Sequence, residues 1–310
     1  MAAVLAALSL VSAHCATAAI IVNDTWRDGT DTDPASPNHS EFGVDSDTDN
    51  NLESVWYQGG VGTLDPVGAN GPERGNLTAG GTSSASWTTY FTPETNPITL
   101  AATGDFVKVT WAFTLTNVNA TNTSQNFRFA MVDSPPPRLA ANGAPASGAF
   151  TGYSMFTNMG QTLGNGSPFR LMRRNIASGD LMSTGGNWLA IGATGAASGN
   201  HGYDAATPYT LTWTITRNAA AGLDHDVIMT GGTLDGDGTA QVTFTDATPG
   251  ALGGFVYDTF AIRPSGATTT AELFDTTLFK VETNTVPEPA SLALVALSSL
   301  AMAMLRRRGQ

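Results

Sequence analysis

Carboxylates are the residues of this chain whose spacing offers chemistry. Asp45, Asp47, Asp49 and Glu53 fall within nine residues, separated by Ser, Thr, Asn and Leu, and Asp28, Asp31 and Asp33 precede them. Alternate acids in a polar loop can converge their oxygens on calcium, which takes six to eight of them. The spacing is not that of a helix–loop–helix calcium hand, which needs Gly at its sixth position and Glu at its twelfth. Counted from Asp45, those places hold Asn50 and Trp56. A solvated acidic loop is the alternative. Trp56, Tyr57, Trp87 and Trp188 stand beside loops or Gly runs and are candidates for stacking on sugar rings.

Signatures of catalysis are weaker. Glu272 and Asp275 lie three apart, so an extended strand sends them to opposite faces instead of pairing them over one glycosidic bond. Ser154, within Gly152–Phe156, lacks the second glycine of a nucleophile elbow. His39, His201 and His225 sit in polar Gly/Asp/Asn surroundings and are expected to be solvated loop residues. No pair of histidines has zinc-site spacing. Asp235 and Asp237, each followed by Gly, suit a hairpin turn. The expectation is a protein that is not an enzyme.

The elements that would position these groups read as strands. From Asp105 to Val118, Val107, Val109, Trp111, Phe113 and Leu115 alternate with Lys, Thr and Ala, which puts five large apolar groups on one face. Tyr209–Arg217 repeats the pattern with Tyr209, Leu211, Trp213 and Ile215 inward. Further strands are expected at 84–91, 126–132, 153–158, 169–174, 188–193, 226–230, 241–245, 255–263 and 272–282, divided by Gly, Asn, Asp and Pro clusters. No window of the body sustains an amphipathic helix. About a dozen two-faced strands predict an all-β fold, two packed antiparallel sheets in a jelly-roll β-sandwich. Residues 134–149, rich in Pro, Gly and Ala, are expected to be a long surface loop within one domain.

Both ends speak of export. Ala2–Val11 is an apolar run of signal-peptide length, and Ala16-Thr17-Ala18 fits a small-residue cleavage site. No basic residue precedes the run, a departure from the usual pattern. Cys15 is the only cysteine, so residues 20–285 hold no disulfide, thiolate metal site or Cys nucleophile. At the other end, Val286-Pro287-Glu288-Pro289 is followed by sixteen uncharged residues, 290–305, and then by Arg306, Arg307 and Arg308. As a helix those sixteen residues would cover ~24 Å, a little less than the hydrocarbon core of a bilayer. The arginines would remain on the cytoplasmic side. The chain of 310 residues has net charge −12, and residues 20–285 alone have 11 basic against 25 acidic groups, net −14. Such acidity argues against nucleic acid and anionic lipid as partners.

The tail resembles the PEP-CTERM sorting signal of bacterial exported proteins: Pro287, Glu288 and Pro289, the apolar helix 290–305 and the Arg cluster 306–308. The resemblance covers about 286–310. It implies recognition by an exosortase, a membrane enzyme that processes the tail near the motif, with transient anchoring by the C-terminal helix. A simple tail anchor is the alternative. The organisation expected is a signal peptide at 1–19, a β-sandwich at 20–285 and the sorting signal at 286–310. The order of strands from Tyr209 to Val281 resembles the closing strands of concanavalin/laminin-G-like domains, which implies a jelly roll able to face glycans. Together these imply a non-enzymatic protein of the cell envelope or extracellular matrix, structural or adhesive, with exopolysaccharide as a candidate partner. A calcium-assisted lectin, with calcium as its cofactor, is the first alternative, and an unrecognised polysaccharide-active enzyme is the second.

Overall fold

Strands form where the two-residue alternation places them, and also where it is silent. The computed structural model describes residues 18–30, 38–145, 148–161, 169–182, 186–194 and 201–285. In chain order the strands are β1 (Ala19–Asp24), β2 (Trp56–Gly60), β3 (Thr63–Pro66), β4 (Glu73–Asn76), β5 (Ala85–Tyr90), β6 (Ile98–Thr99), β7 (Phe106–Thr116), β8 (Phe127–Asp133) and β9 (Thr151–Thr157). They continue with β10 (Phe169–Arg174), β11 (Trp188–Thr194), β12 (Pro208–Arg217), β13 (Leu223–Thr230), β14 (Thr239–Asp246), β15 (Val256–Tyr257), β16 (Thr259–Ser265) and β17 (Leu273–Thr283). One antiparallel sheet runs β14-β13-β12-β7-β17-β4-β3, with β1 also on β17; a second runs β11-β10-β9-β8-β16-β5-β2; β6 and β15 form a small pair. The fold is a nearly all-β sandwich.

The first sheet turns one face inward. Val107, Val109, Trp111, Phe113 and Leu115 of β7 are buried, as are Tyr209, Leu211, Trp213 and Ile215 of β12. Register sets Leu211 opposite Trp111 and Trp213 opposite Val109. From the second sheet Phe127, Phe129 and Phe260 meet them. Trp111 stacks on Phe113 at 4.1 Å and meets Phe129 and Phe260 edge-on at 6.4 and 6.1 Å. Each such ring contributes about 1.5–3 kcal/mol through burial alone, so the seam between the two sheets is the main source of stability.

The second sheet is covered on both faces, which explains why its strands lack a clean alternation. β8 is buried from Phe127 to Val132. Its outward residues Ala130 and Val132 join Phe156, Met172 and Ala261 beneath Phe150, Leu181 and Met182. The described part of 134–149 is a surface loop, with Pro136, Pro137, Ala140, Ala141, Asn142 and Ala144 exposed, but it is anchored to the second sheet. Leu139 packs on Val55, Tyr57 and Tyr90, and the buried Arg138 guanidinium meets Asp258 at 2.6 Å. A Cβ on Gly59 would sit 2.5 Å from the Ala144 nitrogen, so this backbone crossing requires glycine.

Other expectations are amended. The strand expected at 255–263 is two, β15 and β16, parted at Asp258. There the backbone bonds Val132 and Phe91, while the carboxylate accepts from Ser134 and Arg138. The short strands β2, β3 and β4 were not foreseen, because they are four or five residues long and rich in Gly and polar groups. The segments expected to be a signal peptide and a tail helix fall outside the described residues, except for Ala18 and Ala19. Among the described residues, no helix is long and apolar enough to cross a membrane.

Candidate functional site

β1 ends in Asp24, and the chain returns antiparallel to it through a bridge between Asn23 and Leu52. That bridge brings two acidic loops together. Asp24 is buried and accepts hydrogen bonds from the Trp26 amide and from the Ser54 amide and hydroxyl. Burial nevertheless lifts its pKa from 3.8 to about 6, against the lowering effect of these bonds. Short polar turns fold the rest. Asp28 accepts from the Thr30 amide and hydroxyl, Asp45 from the amides of Thr48 and Asn50, Asp47 from that of Asp49, and Asp49 from that of Asn51. Thr48 and Asn50 take positive φ, 69° and 65°, to allow this.

Carboxylate oxygens of Asp28, Asp47 and Glu53 all lie within 4.8 Å of one another, and so do those of Asp45, Asp47 and Asp49. Glu53 differs from its neighbours. It is 3% exposed, and neither of its carboxylate oxygens has a hydrogen-bond partner. An unpaired buried carboxylate is costly. Burial, followed by the charges of Asp28, Asp24, Asp47 and Glu41, raises its pKa from 4.5 to about 8. Asp49 is also raised, first by burial. The nearby Arg27 guanidinium donates to the Asp49 carbonyl at 2.7 Å. The donors are all hard oxygens, the set that suits calcium or magnesium and not zinc. The site therefore fits a hard divalent cation.

A separate cleft of about 310 Å³ opens on the outer face of the second sheet, lined by Ser84, Ser86, Thr88, Asp180, Met182 and Arg263 among others. Arg263 donates to the Ser84 hydroxyl at 2.7 Å, and burial lowers its pKa. The Thr88 hydroxyl is buried without a partner. Arg128, directly opposite Arg263 in the ladder, donates to the carbonyls of Gln125 and Met182. Burial and then Arg263 lower its pKa to about 9.

The four acids expected to gather are neighbours in space, and Asp28 joins them; Asp31 and Asp33 lie outside the described residues. The aromatics are corrected. Trp56, Tyr57, Trp87 and Trp188 are 4%, 5%, 1% and 5% exposed, so none has a ring face free for a sugar. Trp56 meets Phe279 edge-on in the core, and Tyr57 packs on Tyr90. Trp56 and Tyr57 look like loop residues in sequence because β2 is short and ends in Gly, and Trp188 because it opens β11 directly after Gly186 and Asn187. His225 is corrected too: it is buried in β13, 4.2 Å from the Tyr153 ring. Arg263 went unpredicted, and Asp28 was expected in a separate acidic cluster with Asp31 and Asp33, not beside Glu53. Only the ladder between β8 and β16 and the Asn23–Leu52 bridge, both long-range pairings, give them a role.

The architecture is that of an antiparallel β-sandwich. Residues 285–308 match the PEP-CTERM protein-sorting motif, so the chain carries at its C-terminus the signal that its Pro-Glu-Pro, apolar and Arg segments resemble. A search of curated proteins finds no match. Among solved structures the chain is similar to the potassium-bound carbohydrate recognition domain of Emp46p, at 15% identity over 73% of this chain and 87% of that one, with TM-score 0.42. It is also similar to the exoplasmic/lumenal domain of VIP36 with Ca2+ and mannose bound, at 14% identity over 73% and 82%, TM-score 0.40. A third is arcelin-5, a lectin-like defence protein of Phaseolus vulgaris, at 11% identity over 74% and 92%, TM-score 0.41.

Proposed function

We propose that this is an exported protein of the bacterial cell envelope or extracellular matrix, delivered through exosortase processing of its tail, with a structural or adhesive and non-enzymatic role. The sorting motif at 285–308 carries the reading. Attached to it is a sandwich whose cleft suits contact with a polysaccharide. The cleft offers a partly desolvated guanidinium, Arg263, a hydroxyl without a partner, Thr88, and apolar walls from Met182 and Leu181. A few convergent polar groups in a mostly apolar recess are what a sugar ring requires. Asp180 is the single carboxylate among the cleft's lining residues, whereas glycoside hydrolysis ordinarily uses two. That supports contact over cleavage. The cleft draws on residues 84–88, 144–145, 180–182 and 263, while the acidic loops span 24–30 and 41–54. Sugar contact is therefore assigned to the cleft alone, without a bridging metal.

The test is binding of the purified full chain to a panel of neutral and uronate-containing polysaccharides, in chelator. Saturable binding that weakens at least tenfold in Arg263→Ala, about 1.4 kcal/mol, is expected. No saturable binding to any member, or binding indifferent to Arg263, removes the adhesive part of the reading.

A further inference from the structure

The acidic loops hold an imbalance that the protein's own groups leave unresolved. Glu53 is enclosed, with both oxygens lacking a donor, and it faces Asp28 and Asp47 within 4.8 Å. Among the described residues, no ion pair involves Asp28, Asp47 or Glu53. The basic side chains that do pair take Asp275, Glu282, Asp258, Asp246 and Asp204. Glu41, close by, spends its oxygens on the Ser46 amide and hydroxyl and the Glu53 amide. It adds negative charge and supplies no compensation. Three convergent carboxylates with a buried, donor-free member have the charge and the lone pairs to hold a cation.

We propose that Asp28, Asp47 and Glu53 bind one calcium ion, which ties the loop after β1 to the segment entering β2. The ligands come from two chain segments that the Asn23–Leu52 bridge and the bonds from Ser54 to Asp24 and from Arg27 to Asp49 bring together, so the ion acts as a further clasp on the N-terminal strand. Calcium is the ion of choice on two grounds. Every donor is oxygen, with no His or Cys in the group. The ligands also sit on irregular loops, which suits calcium's variable geometry better than the strict octahedron of magnesium. Asp45 and Asp49 are not its ligands. Asp45 and Asp49 converge with Asp47 but not with the buried, donor-free Glu53, and their bonds to backbone amides shape the loop that presents Asp47.

The experiment uses the purified full chain, stripped with chelator and titrated with calcium chloride by calorimetry, with magnesium chloride as comparator and thermal melts alongside. One calcium per chain, a rise in Tm on loading and weaker binding of magnesium are expected. Asp28→Asn and Glu53→Gln should each weaken binding at least tenfold, and Asp45→Asn by much less. Asp28 is exposed, so its variant keeps the fold and decides the matter even if Glu53→Gln does not fold. The proposal is overturned by absence of calcium binding at millimolar concentration or by tighter magnesium binding. Binding unaltered in Asp28→Asn also overturns it, as does a loss centred on Asp45. None of these outcomes bears on the sugar test, which is run in chelator.

Discussion

A histidine kept neutral shows how far this sandwich excludes water. His225 lies between Tyr153 and Trp213, whose indole N–H points to its Nδ1 at 3.5 Å. Its Nε2 is buried without a partner. Burial pulls its pKa from 6.5 to about 3, despite the opposing pull of Asp246 and Asp224. The folded state therefore binds fewer protons than the unfolded chain between those values. Stability contributed by the neutral ring is full above pH 6.5 and drains away as pH falls toward 3, at up to about 1.4 kcal/mol per pH unit. Asp24 and Asp133 act in the opposite sense. Both are raised from 3.8 to about 6, chiefly by burial, so their stabilising protons are lost as pH rises through that range. Comparing the wild type with His225→Gln isolates the histidine from these acids. Denaturant melts at pH 7, 5 and 4 should show the wild type losing more stability than the variant at each step down. Parallel profiles would mean that the imidazole is not held neutral.

At the scale of elements, the two sheets are locked by close approaches as well as by large side chains. Gly75 on β4 lies against the indole of Trp87 on β5, and a Cβ there would sit 2.1 Å from the ring. The indole in turn meets Phe274 of β17 edge-on at 5.3 Å. Gly75→Ala should cost about 1–3 kcal/mol as an overpacked core, read by a drop in Tm. Trp87→Phe should recover part of that loss in the double variant, giving a coupling term of opposite sign. If the two losses simply add, the contact does not lock the sheets. This pair also shows why the sequence is legible in some places and silent in others. β7 and β12 announce themselves because each is long, half-buried and strictly alternating. Trp87 reads as a loop-side ring, because nothing local reports that a glycine from another strand makes room for it. The acidic site divides the same way. Asp45, Asp47, Asp49 and Glu53 are visible as a run, whereas the seclusion of Glu53 and the arrival of Asp28 depend on long-range pairing of β1. The cleft arginine was invisible for a similar reason: on β16 it reads as one more polar strand residue.

For the whole molecule, the decisive issue is what the tail adds to a sandwich that closes without it. β17 ends its ladder at Thr283. The Thr283 hydroxyl donates to the Phe106 carbonyl at 2.7 Å and accepts from the Thr285 amide. The domain is thus sealed just where the sorting motif begins at 285. Deleting Pro287–Gln310 should leave the Tm of the sandwich unchanged while moving the protein from the cells into the medium or altering its mature mass. A plain tail anchor predicts the same release on deletion, so deletion alone does not separate the two. Single changes do. An anchor depends on the apolar span and the flanking arginines, and Glu288→Gln leaves both untouched, so an anchored protein would stay cell-bound at unchanged mass. A processing enzyme that reads the Pro-Glu-Pro motif would be impaired by the same substitution, and the full-length, uncleaved chain would accumulate in the membrane fraction. Mass spectrometry of the cell-associated protein from Glu288→Gln cells distinguishes them. An uncleaved variant beside a cleaved wild type confirms recognition of the motif, and an uncleaved mass in both leaves the tail as a membrane anchor only.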